Sequence, residues 1–333
     1  MAFLVMCAHF GVFPGFEHAG NFGVQVFFSL SGWLIGGILL KTSAPALPRF
    51  YFNRAIRIWT PYYLALLFIV AGGLLHDKNI GAKWIEFVIY KTTFVWNLFG
   101  TQQLATAQDL MPLKGTGNHF WSVNAEEQFY LMAPAMLVLL PGFGRKPVVW
   151  GVLAAWACIT GNIYAAVILG VFLATLQARS PGFHEGAAAR AVALVILLVA
   201  AVVIVTGTLY PNIAPIAGAM IVLLLAREGP KSPVAGFFGG LSYQLYLNHW
   251  VGGFIVQVAF LTLGYSKTSP WATLISLGVS VGIAAALYWT IDRPLLAKRS
   301  RFFTPARGRL AMSAGYAILA LGIAFGLAVN LRT

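Results

Sequence analysis

The stretch HFWSVNAEEQFYLMAPAMLVLLP, residues 119–141, decides how this chain is read, because it puts two adjacent glutamates at the head of an apolar run. On a helix advancing about 100° per residue from Trp121, Ser122, Glu126 and Tyr130 fall on one arc, and Glu127 lies about 100° further round. Asn124 and Gln128 complete the circuit. With polar groups on nearly every side, such a segment cannot turn its first half to lipid. Either neighbouring helices enclose it or it lines a wet cavity. A plainer reading is a helix end at the interface, whose carboxylates stabilise the N-terminal dipole.

The rest of the chain says why lipid is the reference solvent. Of 333 residues 59% are hydrophobic and only 9% charged, and the mean hydropathy is +0.80. Apolar runs of about 17 to 22 residues match the length a helix needs to cross a bilayer. The fold class is an all-α, polytopic membrane bundle of about 10–11 transmembrane helices. Spans are expected near residues 1–13, 22–40, 58–75, 120–140, 148–160, 164–176, 191–206, 213–226, 237–260, 272–291 and 310–329. The first is too short to cross, at about 1.5 Å per residue, which suggests that the chain begins inside a longer natural helix. It lacks the charged leader and cleavage site of a signal peptide. Residues 84–100 carry Glu86 and Lys91 and are read as an interfacial or re-entrant helix. Residues 1–309 are expected to form one membrane domain and 310–333 an additional C-terminal transmembrane helix, with no soluble domain.

A net charge of +13 could point to nucleic acid, but the basic residues sit between apolar runs. If the first span runs from inside to outside, sixteen face the cytoplasm and five face outward, leaving the tail Arg332 aside. That bias is the topogenic one, with basic loops on the cytoplasmic side of what is expected to be a bacterial cytoplasmic membrane; nucleic acid is excluded as a partner. Cys7 and Cys158 lie within apolar runs without metal-ligand spacing, so neither a metal nor a disulfide is expected.

Several other residues carry chemistry. His9 precedes the first outer turn at a depth expected to match Glu126, and imidazole titrates near neutrality; a satisfied core histidine is the alternative. Arg54 and Arg57 lie three apart and so on one side of a helix, with Arg49 further back. Guanidinium pairs suit phosphates, although ordinary topogenic arginines would look the same. His249 lies mid-span, and Asp292 lies at a helix end where Arg293 or Lys298 could pair with it. No phosphate loop, HExxH or GxSxG motif is present, which leaves ATP hydrolysis, zinc proteolysis and serine-hydrolase chemistry without support.

Six stretches taken in order resemble acyltransferase family 3, the membrane O-acyltransferases. They are AFLVMCAHF, GVQVFFSLSGWLIG, FNRAIRIWTPYY, WSVNAEEQFYLMAP, LSYQLYLNHW and IDRPLL. The resemblance implies transfer of an acyl group, with acetyl expected, from cytoplasmic acyl-CoA to a hydroxyl on a carbohydrate or other acceptor at the outer face. It implies His9 as catalytic residue, Arg54 and Arg57 with Arg49 as binders of the donor phosphates, and a functional role for Asp292, where the family usually has Glu. It makes Glu126 a catalytic residue at the wall of the acceptor cavity, orienting the acceptor or the imidazole, with Glu127, Ser122, Tyr130, His249 and Asn248 as further lining. No permanently bound cofactor is expected; acyl-CoA is the donor substrate. Two departures stand out: the arginine that the family places eleven positions before its first histidine would precede Met1, and Asn248 stands where the family has Trp. A transporter whose polar groups line a pathway, or a non-catalytic membrane partner, remain the competing readings.

Overall fold

The computed structural model describes residues 1–13, 18–77, 80–100, 108–206, 209–227, 229–230 and 232–331. Lys78, Lys231 and Arg332 of the charge count lie outside the described residues. Among the described residues there are helices and no strand. In chain order they are α1 Ala2–His9, α2 Ala19–Leu40, α3 Leu47–His76, α4 Ala82–Thr92, α5 Trp96–Phe99, α6 Trp121–Pro134, α7 Pro141–Gly144, α8 Pro147–Ile159, α9 Ala165–Arg179, α10 Ala187–Thr206, α11 Tyr210–Leu225, α12 Pro233–Thr262, α13 Pro270–Leu287, α14 Arg293–Phe302 and α15 Pro305–Asn330. Six segments are long and apolar enough to cross a membrane, and α8, α9 and α11 are shorter apolar helices. The chain is an integral membrane protein.

Ser-Pro and Thr-Pro pairs start three of the long helices. Ser232, Ser269 and Thr304 each accept a bond from the backbone N–H three residues on, at 3.3, 3.1 and 3.2 Å. Proline follows each cap, where its missing N–H costs nothing. Inside the bundle, contact is made by small residues, as expected where lipid offers helices no hydrophobic drive to associate. On α2 and α9, a Cβ added to Gly32 would lie 2.1 Å from the Val167 carbonyl oxygen, and one added to Gly170 would lie 2.2 Å from that of Ser29. Only hydrogen atoms fit between these backbones. By contrast α10 turns Val192, Val195, Leu198, Val199 and Val202 outward, as a helix facing lipid should.

The segment of residues 84–100 is not one crossing. It breaks between α4 and α5, where Phe94 adopts a left-handed φ of 58°. Two other helices loosen into wide turns beside prolines. After Pro134 the chain continues as a π-turn over Ala135–Leu139, and a second π-turn, Tyr288–Asp292, ends just before Arg293 and Pro294. A proline supplies no N–H to the preceding turn, so the helix there must change register. The expected boundary at 309/310 falls inside α15, which starts at Pro305 and runs on unbroken. Cys7 and Cys158 are both free thiols.

Candidate active site

Three imidazoles from distant parts of the sequence meet at one end of the bundle. His9 closes α1, His119 lies in a short turn, Asn118–Phe120, leading into α6, and His249 sits in the middle of α12. His9 Nδ1 and His249 Nε2 are 2.8 Å apart. The other nitrogen of His249, Nδ1, lies 3.1 Å and 3.0 Å from the carbonyl oxygens of Leu245 and Tyr246. Carbonyl oxygens only accept, so His249 Nδ1 carries the hydrogen and its Nε2 must accept from His9 Nδ1–H. That chain of bonds leaves the lone pair of His9 on Nε2. Beside it runs α2, where the missing side chain of Gly20 keeps the space open; an added Cβ would stand 4.0 Å from Nε2. His9 opens onto a cavity of about 440 Å³ walled in part by Phe10, Trp121, Trp250 and the Gly115–Asn118 loop.

His119 is held by its own backbone. Its carbonyl accepts from the Tyr246 hydroxyl at 2.6 Å, and that hydroxyl lies 2.6 Å from Ser122 Oγ, so α12, α6 and the turn are tied together. Its ring is a different matter, since the buried Nε2 has no hydrogen-bond partner. Burial, reinforced by His249, His9 and Lys91, holds the His119 imidazole well below its ordinary pKa, so the ring presents lone pairs rather than charge. Lys91 itself is 0% exposed. Its Nζ donates to the Asn118 carbonyl at 3.1 Å and stands 4.6 Å from the Trp96 ring centre and 5.3 Å from that of Phe87. The loop before the turn is strained, with left-handed φ values of 45° at Leu113 and 55° at Lys114. Asp77 Oδ2 steadies it by accepting from the Leu113 N–H at 3.1 Å and the Trp84 indole at 3.0 Å.

At the opposite end of α12 a second cavity, about 280 Å³, is lined by Ile56, Arg57, Gly240, Tyr243, Tyr288 and Asp292 among others. Asp292 Oδ1 accepts from Gln244 Nε2 at 2.7 Å, and Gln244 Oε1 accepts from Asn248 Nδ2 at 2.8 Å. This buried polar ladder climbs α12 from the second cavity to the residue next to His249. The two glutamates of α6 are not among the residues that line either cavity. Glu126 Oε1 accepts from Ser31 and from Tyr130, while Glu127 Oε1 accepts from the Trp59 indole at 2.7 Å.

A family model described as an acyltransferase domain matches residues 1–289. The chain belongs to the acyltransferase 3 family. A Staphylococcus aureus (strain COL) protein with a provisional O-acetyltransferase name is similar at 33% identity over 129 residues, 36% of this chain and 20% of the relative. The peptidoglycan O-acetyltransferase OatA of Listeria monocytogenes is similar at 31% over 137 residues, 38% of this chain and 21% of that protein. An uncharacterised Haemophilus influenzae protein matches at 28% over 163 residues, 44% of this chain and 64% of its own length. The chain thus spans about a fifth of the length of the first two relatives. No solved structure matches it.

Within this family member the expected site residues divide into three groups. His9 and His249 meet directly, and Arg57 and Asp292 share the second cavity. Glu126, expected at a depth similar to that of His9, bonds to Ser31 and Tyr130 rather than to any of the imidazoles. Glu127 and Tyr130 go with it, whereas Ser122 serves the His119 turn and Asn248 belongs to the ladder. Arg54 and Arg57 do not converge. The Arg54 guanidinium lies over the rings of Phe50 and Tyr130, at 6.0 and 5.8 Å, and Arg49 lies 5.4 Å from the Phe303 ring centre. Asp292 pairs with neither Arg293 nor Lys298 among its hydrogen bonds; Arg293 stacks on Trp289 at 4.0 Å. Sequence reading missed His119 and Lys91. The first stood at the edge of the quoted stretch, in a position indistinguishable from a loop histidine, and the second was read as an ordinary outward-facing lysine.

Proposed function

We propose that this chain is a membrane O-acyltransferase that moves an acyl group, acetyl in the simplest case, from acyl-CoA to a hydroxyl of a carbohydrate-type acceptor. One observation carries the reading: His9 is held in a fixed tautomer by His249 and stands in the lining of an open cavity. A carboxylate or carbonyl behind an imidazole, and open space in front, is the arrangement by which a side chain becomes a base or a nucleophile.

In the reaction, His9 Nε2 takes the proton of the acceptor hydroxyl as its oxygen bonds to the thioester carbonyl carbon. The carbon–sulfur bond then breaks, and the CoA thiolate leaves with the proton His9 has taken. A transient acyl-imidazole on Nε2 would accomplish the same exchange in two steps. His249 does not touch the substrates; through Nδ1 and Nε2 it keeps His9 facing the right way. The second cavity, with Arg57 at its wall and Arg54 and Arg49 on the same helix, suits the phosphates of the donor. Glu126, half-buried, and Glu127, buried, would hold a wall along which the thioester arm extends. With basic loops on the cytoplasmic side, the donor enters from the cytoplasm and the acceptor meets His9 at the outer face of the bacterial cytoplasmic membrane. The Listeria relative, a peptidoglycan O-acetyltransferase by name, makes a peptidoglycan hydroxyl the first acceptor to try.

The test is label transfer from radiolabelled acetyl-CoA in inverted membrane vesicles with an added glycan acceptor. Covalent label on the acceptor, lost in His9→Ala while the protein stays inserted, supports the enzyme. Uptake without covalent label supports a transporter, and full transfer by His9→Ala removes His9 from the chemistry.

A further inference from the structure

We propose that His9, His119 and His249 together form a binding site for one divalent transition-metal ion of the zinc class, and that its binding shuts off acyl transfer. The second half rests on the role of His9 given above; the first half does not.

Three observations lead to the site. One ring nitrogen from each histidine lies within 4.8 Å of the others. A tetrahedral zinc site with Zn–N bonds of about 2.0–2.1 Å holds its nitrogens about 3.4 Å apart, so the hydrogen-bonded pair must open slightly and His119 must close in by about 1 Å. Rotation about side-chain bonds supplies such a change. The second observation is the His119 ring, whose Nε2 is buried with nothing to bond to. A buried polar atom without a partner is costly, and native structures rarely keep one without a reason. The third is the backing of His249. Its Nδ1–H already donates to two carbonyls, which is how metal-binding imidazoles are commonly oriented, with the ligating nitrogen stripped of its proton.

The donor set then names the ion. Three neutral imidazoles without a carboxylate suit zinc, copper, nickel or cobalt and offer little to magnesium or calcium. A fourth position faces the cavity of about 440 Å³, so water completes the sphere. Lys91 stands near His119 and would oppose a dication, which keeps the site from binding as tightly as one with an anionic ligand.

Inhibition follows from where the protons go. The ion takes the place of the hydrogen shared by His9 Nδ1 and His249 Nε2. His9 bound through Nδ1 is the other tautomer: its single hydrogen moves from Nδ1 to Nε2, and the lone pair that should receive the acceptor's proton is gone. No electron changes hands, and a chelator restores the hydrogen bond.

The experiment uses the purified full chain in detergent, titrated with zinc by calorimetry and with cobalt by its visible absorption, alongside the label-transfer assay. One ion should bind per chain, cobalt should show the intense bands of a tetrahedral nitrogen site, and transfer should fall at the same zinc concentrations and return with chelator. His119→Gln and His9→Asn should each weaken binding by at least about 10-fold; thermal melting of both variants checks that they fold. Absence of binding at millimolar ion, or binding unchanged in both variants, overturns the site. Binding with transfer unaffected or raised overturns the inhibition. If no condition yields transfer, the enzyme reading fails, while the cobalt spectrum still reports on the site.

Discussion

The two ends of α12 face different chemical problems. One end gathers neutral rings: His9, His119 and His249 with Phe10, Trp121 and Trp250 around an open cavity. The other gathers charge, with Arg57 and Asp292 at a smaller cavity beside Gly240 and Tyr288. Charges in a membrane are expensive and stay where water or ligand can reach them, at the ends of helices. Proton-handling groups need a fixed tautomer instead, and here His249 supplies it from a buried position behind an exposed His9. A single helix reaches both, and the Asp292–Gln244–Asn248 ladder crosses the interval without placing an unpaired charge in it.

If that contrast is right, substitutions at the two ends should fail in different ways. The largest effect belongs to His9→Ala, which should lower kcat by about 10²- to 10⁴-fold, the usual contribution of a general base, with donor binding intact. His249→Gln should lower kcat less, by about 10- to 100-fold, because it frees His9 to turn without removing it; steady-state kinetics with a fixed acceptor measure both. At the charged end Arg57→Ala should instead raise the donor KM by about 10-fold or more, as expected for loss of about 1.5–3 kcal/mol from a charge-assisted bond, with kcat little changed. A fall in kcat with constant KM there would merge the two ends into one site.

The smaller effects concern stability. Gly252→Ala would put a Cβ 2.3 Å from Ser280 Oγ and 2.6 Å from its backbone nitrogen. Forcing α12 from α13 should cost about 1–3 kcal/mol, seen as a lower melting temperature in detergent. Lys91→Met keeps the volume but removes one of the bonds to the Asn118 carbonyl, which still accepts a backbone N–H at the end of its turn; the loss should be about 0.5–1.5 kcal/mol by the same measurement. Because that carbonyl belongs to the His119 turn, Lys91→Met should disturb the His end and spare donor KM.

How much of this could be seen in the sequence depends on what kind of information each feature needs. Span pattern was legible because hydropathy is local: each expected crossing has its helix, and the broken segment of residues 84–100 was recognisable by its internal charges. Enclosure of α6 followed from polar groups around its whole circumference, and Glu127 is indeed 3% exposed. Relative depth is not a local property. Placing Glu126 against His9 needs the tilt and stagger of α1 against α6, which no periodicity records. The same holds for Arg54 and Arg57: a spacing of three sets their angle on α3, but Phe50 and Tyr130 decide where the longer side chain goes. His119 and Lys91 were out of reach because the first gains its meaning from His9 and His249, 110 and 130 positions away, and the second from the Asn118 carbonyl, 27 positions away.

The last helix shows what a membrane protein can do with absent atoms. On α15, Gly308 meets Pro48, Gly315 meets Trp59 and Leu131, Gly322 meets Thr93 and Val95, and Gly326 meets Phe99. All four fall within an arc of about 40° at 100° per residue. A slip of one position would rotate every notch away from its tooth at once, so the helix has one seating and no gradual way out of it. The Tyr316 hydroxyl, 2.8 Å from that of Tyr51 and bonded to the Leu131 carbonyl at 2.6 Å, latches it in that seating. The segment beyond the family-matched residues is therefore a keyed part of the wall beside Trp59, whose indole donates to the buried Glu127, and loosening it would open that bond to lipid.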